Sequence, residues 1–235
     1  MFVTYAHRGA SEYAPENTKS SFSLGFEMGA NGVETDVRRT KDGVLVLFHD
    51  KTLERVACHS GSIADYTYEE LLQIPIIHAE SGKQDLIVKL DDFLKSFSKD
   101  GIWYAIELKD PDIEKDVFDM VKKYGLENQT IITSFSLEYL VKLKSIYPQA
   151  SVGYLTADFD DDMLLQMKKI GVEQLCPNGA NLTPEKVEKW HEQGFNVRAW
   201  GIKDENLMKH AYDCGADGMT VNFPDKLISY IKEKR

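Results

Sequence analysis

Short apolar runs alternate along most of the chain with longer segments whose apolar positions recur at helical spacing. Periods of about 2 and about 3.6 residues separate strands from helices. The first run, residues 2–6, predicts a strand ended by His7-Arg8-Gly9. Pro15-Glu16-Asn17-Thr18 opens a helix with apolar surface at Phe22, Leu24, Phe26 and Met28, and Gly29 and Gly32 close it. A second strand carries Glu34 and Asp36 inside an apolar alternation. Lys41-Asp42-Gly43 marks a turn, and residues 44–48 form another strand-like run ending in His49-Asp50. Patterning weakens over residues 51–90, apart from a capped helical turn at Thr67. That stretch reads as an insertion packed over one end of the main domain.

Beyond it the rhythm is regular. Strands are predicted at 103–109, 130–135, 151–155, 173–177, 196–201 and 218–222, with helices at 90–97, 113–124, 137–147, 161–170, 184–193, 205–214 and 227–232. Eight strands are followed by helices, ending near His7, Asp36, Lys109, Phe135, Leu155, Pro177, Gly201 and Asn222. This alternation predicts one α/β domain over 1–235, a (β/α)8 TIM barrel. The run 44–48 is then the return arm of a hairpin extending the second strand. A faint internal repeat, residues 29–33 against 215–219, falls between helix and strand, at the end of a barrel where chemistry is not built.

Polar residues at the carboxyl ends of the strands form the candidate site. Glu34 and Asp36, two apart in a strand, point to one face, and the hairpin returns His49 to their level. The first strand adds His7 and Arg8, and the third adds Glu107 and Lys109. Converging buried carboxylates repel one another unless paired or bound to metal. A hard divalent cation, Ca²⁺ or Mg²⁺, suits such an oxygen set. Zinc suits it less, because no thiolate or closely spaced histidine pair completes it. Arg8 and Lys109 would serve an anionic substrate, with His7 and His49 as acid and base. The structural alternatives are that Lys109 merely neutralises Glu107 and that Arg8 is a rim salt bridge. His59, His78, His191 and His210 read as surface residues without a role.

Composition narrows the partners. The net charge of −10 argues against nucleic acid and anionic membrane surfaces, though not against a small anion met by local charge. Cys58, Cys176 and Cys214 are scattered, which fits a reducing compartment without a disulfide framework. The opening MFVTYAHRGA is too short for a signal peptide, and no run approaches the roughly 20 apolar residues of a membrane span. A soluble, cytoplasmic protein without a membrane anchor is expected.

As a set, several motifs resemble the glycerophosphodiester phosphodiesterase family. They are His7-Arg8-Gly9 with Pro15-Glu16-Asn17-Thr18, Glu34-Thr35-Asp36-Val37 with Thr40-Lys41-Asp42-Gly43, His49-Asp50, Leu53-Glu54-Arg55, Ile106-Glu107-Leu108-Lys109, Ser134-Phe135, Trp200 and Thr220-Val221-Asn222-Phe223-Pro224-Asp225. The resemblance runs nearly end to end. It implies hydrolysis of diesters such as glycerophosphocholine or glycerophosphoethanolamine to sn-glycerol 3-phosphate and an alcohol. It further implies a metal on Glu34, Asp36 and Glu107, a catalytic pair His7 and His49, phosphate contacts from Arg8 and Lys109, and Trp200 as a pocket wall. In related enzymes the substrate's own 2-hydroxyl attacks, giving a cyclic phosphate that water opens. Two other readings remain open: a lysophospholipase D-type enzyme, which needs an apolar groove, and a non-catalytic barrel binding phosphorylated metabolites, which needs no acid–base pair.

Overall fold

The computed structural model of the chain describes residues 2–234. Its strands, in chain order, are β1 (Val3–His7), β2 (Gly32–Arg39), β3 (Leu45–Leu47), β4 (Ile76–Ile77), β5 (Gln84–Asp85), β6 (Trp103–Leu108), β7 (Thr130–Ser134), β8 (Val152–Leu155), β9 (Gln174–Cys176), β10 (Asn196–Ile202) and β11 (Gly218–Val221). Eight of them pair in parallel as β1-β2-β6-β7-β8-β9-β10-β11, and β11 returns to β1. The closed (β/α)8 barrel expected from the alternation is therefore formed. β3 lies antiparallel on the far half of β2, pairing Leu47 with Val37 and Leu45 with Arg39, as the return arm of a hairpin.

The helices are α1 (Lys19–Glu27), α2 (Glu54–Ala57), α3 (Tyr68–Leu71), α4 (Leu90–Phe97), α5 (Glu114–Lys123), α6 (Leu137–Ile146), α7 (Asp161–Ile170), α8 (Pro184–Glu192), α9 (Glu205–Asp213) and α10 (Pro224–Glu233). Side-chain caps at Thr18, Thr67, Asp160, Thr183 and Asp204 accept from the first-turn amides of α1, α3, α7, α8 and α9, satisfying donors that have no partner within the helix. α1 begins one turn later than the Pro15–Thr18 motif suggested, because Thr18 is its cap. α10 begins earlier than 227, because Pro224 occupies the first helical position, where its missing N–H costs nothing. No helix among the described residues is long and apolar enough to cross a membrane.

The main core lies between barrel and helices, around residues such as Phe22, Phe93, Ile106, Phe118, Leu140 and Trp190. A second cluster, with Phe48, Leu53, Val56, Ile63, Leu71 and Ile87, holds the segment after His49 over the barrel mouth. Inside the barrel, Arg198 is fully buried and donates to Gln174 Oε1 (2.9 Å) and Thr220 Oγ1 (2.5 Å). Its guanidinium lies 5.3 Å from the Tyr5 ring centroid. Barrels of this type are ordinarily filled by branched apolar side chains; this interior is partly polar.

The sequence repeat has one structural job in both copies. Asn31 Oδ1 accepts from Thr4 N and its carbonyl from Trp103 N, so it stitches β2 to both neighbours. Asp217 Oδ2 accepts from Val197 N and its carbonyl from Val3 N, doing the same for β11.

The turn after β1 sets the site. Arg8 and Gly9 both have positive φ, at 55° and 84°, a region that L side chains enter only under constraint. A Cβ on Gly9 would lie 2.4 Å from the Ser21 carbonyl carbon. Gly9→Ala is therefore expected to destabilise the protein by roughly 1–3 kcal/mol, read as a lower denaturation midpoint. An unchanged midpoint would contradict the packing of α1 against this turn.

Candidate active site

Strand register brings the acids together. His7 pairs with Glu34 across β1 and β2, and Asp36 pairs with Glu107 across β2 and β6. Glu34, Asp36 and Glu107 are buried and each offers an oxygen within 4.8 Å of the others. Among the described residues Glu34 Oε2 and Asp36 Oδ1 accept no hydrogen bond, and Asp36 Oδ1 has only the ion-pair contact of the Lys109 ammonium, an unusual state for buried oxygens. An all-oxygen, anionic and under-satisfied set fits a hard divalent cation. Burial, then the Asp36 and Glu107 charges, push the Glu34 carboxyl up to about 8. Burial and Asp36 push Glu107 to about 7 against the pull of Lys109. Burial also opposes charge on Asp36, but Arg8 and Lys109 outweigh it and hold Asp36 well below the usual carboxylate range.

Both expected cations are present and both are already engaged. Arg8 Nε lies 3.1 Å from Asp36 Oδ2, and its Nη1 donates to Glu16 Oε1 (2.9 Å). Lys109 Nζ donates to Glu107 Oε1 (2.6 Å) and lies 3.2 Å from Asp36 Oδ1. The neutralising role set out as a structural alternative is thus real for each, and it places both beside the acids.

The histidines flank the trio. His7 Nδ1 meets Asn222 Oδ1 at 2.6 Å, and its Nε2 lies 3.7 Å from Glu34 Oε2. A carboxamide oxygen only accepts, so Nδ1 carries the proton. Burial and the Arg8 charge push the His7 pKa down to about 3. His49 stands where β3 returns beside Asp36, whose carbonyl accepts from Phe48 N. Its Nδ1 is 2.5 Å from Asp50 Oδ1. Its backbone carbonyl accepts from Arg38 Nε and Nη2, while Arg38 Nη1 reaches Asp110. Burial lowers the His49 pKa, and the Asp36 and Asp50 carboxylates oppose the shift.

A cavity of about 290 Å³ opens over these groups, walled on one side by Phe135, Leu155 and Trp200. Trp200 is pinned by Nε1 hydrogen bonds to the Thr156 and Cys176 carbonyls, both 3.0 Å, and meets Phe135 edge to face at 4.9 Å. A larger cavity of about 380 Å³ opens at the other barrel end. There Gln174 pairs with Asn196 and Glu173 with Lys144, which leaves little free chemistry.

Of the eight expected residues, His7, Arg8, Glu34, His49, Glu107, Lys109 and Trp200 line one space, and Asp36 lies buried behind it against Arg8 and Lys109. His191 and His210 lie away from it, bonded to Asp217 and to the Leu182 carbonyl. Sequence reasoning missed Glu16, Asn17, Asp50, Arg55 and Asn222. Asn17 donates to Asp36 Oδ2 (3.0 Å) and accepts from Thr35 (2.7 Å); it lay inside a motif that carried the family resemblance and was otherwise read as a helix opening, with no site role given to it.

The profile of the glycerophosphoryl diester phosphodiesterase family matches residues 7–226. The chain belongs to this family. It is an enzyme of the phosphodiesterase class. A glycerophosphodiester phosphodiesterase of Bacillus altitudinis is 30% identical over the whole of both chains. One from Caldanaerobacter subterraneus is 30% identical over 98% of each. Among solved structures, an Oleispira antarctica phosphodiesterase in complex with its product sn-glycerol-3-phosphate superposes with a TM-score of 0.86 at 27% identity, covering 98% of this chain and 96% of that one.

For this phosphodiesterase the acids predict a pH signature. Carboxylates ligate metal only when ionised, and Glu34 and Glu107 keep their protons up to about 8 and about 7. Divalent metal uptake should release protons, and affinity should rise at least about tenfold per unit between about pH 6 and 7. Both pKa values exceed those of the unfolded chain, so metal-free protein should lose stability as pH rises through this window. Calorimetry in buffers of different ionisation heat, with melting curves, checks both; pH-independent metal binding would contradict them.

Proposed function

We propose that the chain hydrolyses glycerophosphodiesters, such as glycerophosphocholine or glycerophosphoethanolamine, to sn-glycerol 3-phosphate and the free alcohol in the cytoplasm. The observation that carries this is the histidine pair: each Nδ1 is tied back to a side-chain oxygen, beside three converging carboxylates. The product bound by the Oleispira antarctica relative supports the substrate class. Glu34, Asp36 and Glu107 would hold Ca²⁺ or Mg²⁺, which when bound supplies positive charge against the phosphoryl oxygens.

The chain's own groups divide the remaining work. Arg8 and Lys109 offer N–H donors to the non-bridging oxygens as negative charge builds. His7, held neutral, takes the proton of the substrate's 2-hydroxyl as its oxygen bonds to phosphorus. His49 enters the step as the imidazolium, with Nδ1–H on the Asp50 carboxylate, and gives its Nε2 proton to the departing alcohol as the P–O bond breaks. The cyclic phosphate is then opened by water with the two roles exchanged. Trp200 closes one wall against the less polar part of the substrate.

His7→Ala and His49→Ala should each lower kcat by roughly 100-fold or more, with much smaller effects on KM. Excess chelator should abolish turnover, and Ca²⁺ or Mg²⁺ should restore it. Near-normal turnover by either variant, or in chelator with no metal bound, would refute the corresponding role. A 2-deoxy glycerophosphodiester should bind yet turn over very slowly, because the intramolecular nucleophile is missing. Equal turnover without a transient cyclic species by phosphorus NMR would defeat the substrate-assisted route alone.

A further inference from the structure

Arg55 stands at the edge of the site without belonging to it. It lies on α2, whose neighbours Leu53, Val56 and Ala57 are buried in the second apolar cluster. Its Nε donates to Asp50 Oδ2 at 2.5 Å, while Nη1 and Nη2 grip Glu16 Oε2 and Oε1 at 2.8 and 2.7 Å. Asp50 gives its other oxygen to His49 Nδ1, and Glu16 Oε1 also accepts from Arg8. One guanidinium thus joins the loop carrying His49 to the loop carrying Arg8.

Such an arrangement is a poor way to add stability. The Arg55 side chain is 46% exposed, and ion pairs open to solvent contribute little. Its value is geometric, because a planar fork gripping a carboxylate bidentately fixes direction as well as distance. His49 needs such fixing. Its ring is one-third exposed, and among the described residues Asp50 is its sole side-chain hydrogen-bond partner. Which ring nitrogen of a histidine carries the proton is set by the bond the other makes.

We propose that Arg55 is a positioning residue for catalysis, holding Asp50 so that His49 keeps its proton on Nδ1 and presents Nε2 to the cavity. The segment between β3 and α4 is then part of the catalytic apparatus, through a contact that never touches substrate. The inference rests on the acid–base role assigned to His49.

The test uses the full-length, metal-loaded protein with glycerophosphocholine, well below its melting temperature. Arg55→Gln should lower kcat by about 10- to 100-fold, the scale on which partners of a ligating or catalytic side chain act, with KM nearly unchanged. Arg55→Lys keeps the charge but lacks the fork, and should recover only part of the loss. In ¹⁵N-histidine spectra recorded at a pH where His49 is neutral, the wild-type ring should show a protonated Nδ1 and an unprotonated Nε2, the nitrogen that carries the extra proton in the acid form, and Arg55→Gln should shift both signals toward a mixture of tautomers. A variant whose His49 nitrogens are unchanged, or whose kcat matches wild type, overturns the proposal. Full turnover by His49→Ala would instead remove the reading on which it rests, so the two failures are distinct.

Discussion

Three carboxylates held within 4.8 Å of one another in the barrel mouth are the constraint to which the rest of the structure answers. Taking one such charge out of water costs several kcal/mol, and like charges raise that cost. Arg8 and Lys109 meet it in direct contact. Arg198 meets it from below, as a buried cation that no carboxylate contacts among the described residues and whose charge reaches Glu34 through the barrel interior. Left-handed backbone at Arg8 and at Asn17 brings those two side chains to Asp36. The polar interior holding Arg198 serves the same charge balance.

The architecture also separates two tasks. The barrel fixes the acids by strand register, which leaves little freedom once β1, β2 and β6 are paired. The histidines are held by partners outside that ladder: His7 by Asn222 at the end of β11, and His49 by Asp50 on a hairpin arm propped by a separate apolar cluster.

The fold was legible because strand and helix periods differ and because the turns carry Gly, Asp and Asn. The rim residues were legible because a Glu, Asp or Lys inside an apolar run, as in residues 103–109, has no bland place to go. Arg198 was not. In the alternating strand 196–201 a polar position reads as facing solvent, whereas in a closed barrel the face opposite the helices is the interior. Asn17 and Glu16 were hidden inside a helix-opening motif whose local reading was sufficient. Asp50, though next to His49 in sequence, read only as the end of the hairpin. Arg55 and Asn222 gain their contacts only through partners that no periodicity places beside them, Glu16 at 39 residues and His7 at 215.

That last separation has a consequence for how the protein comes into being. The barrel closes where β1 meets β11, and Glu12–Lys226 and Tyr13–Asp225 contacts cross the same seam. Pairings so distant in sequence are slow to form, and during synthesis the first strand emerges long before its partner. A chain still on the ribosome has every carboxylate of the site yet no Asn222 to turn the His7 ring. The His7–Asn222 contact therefore arrives only with β11, and a chain cut before that strand would lack both the closing pair of the barrel and the partner of the His7 ring.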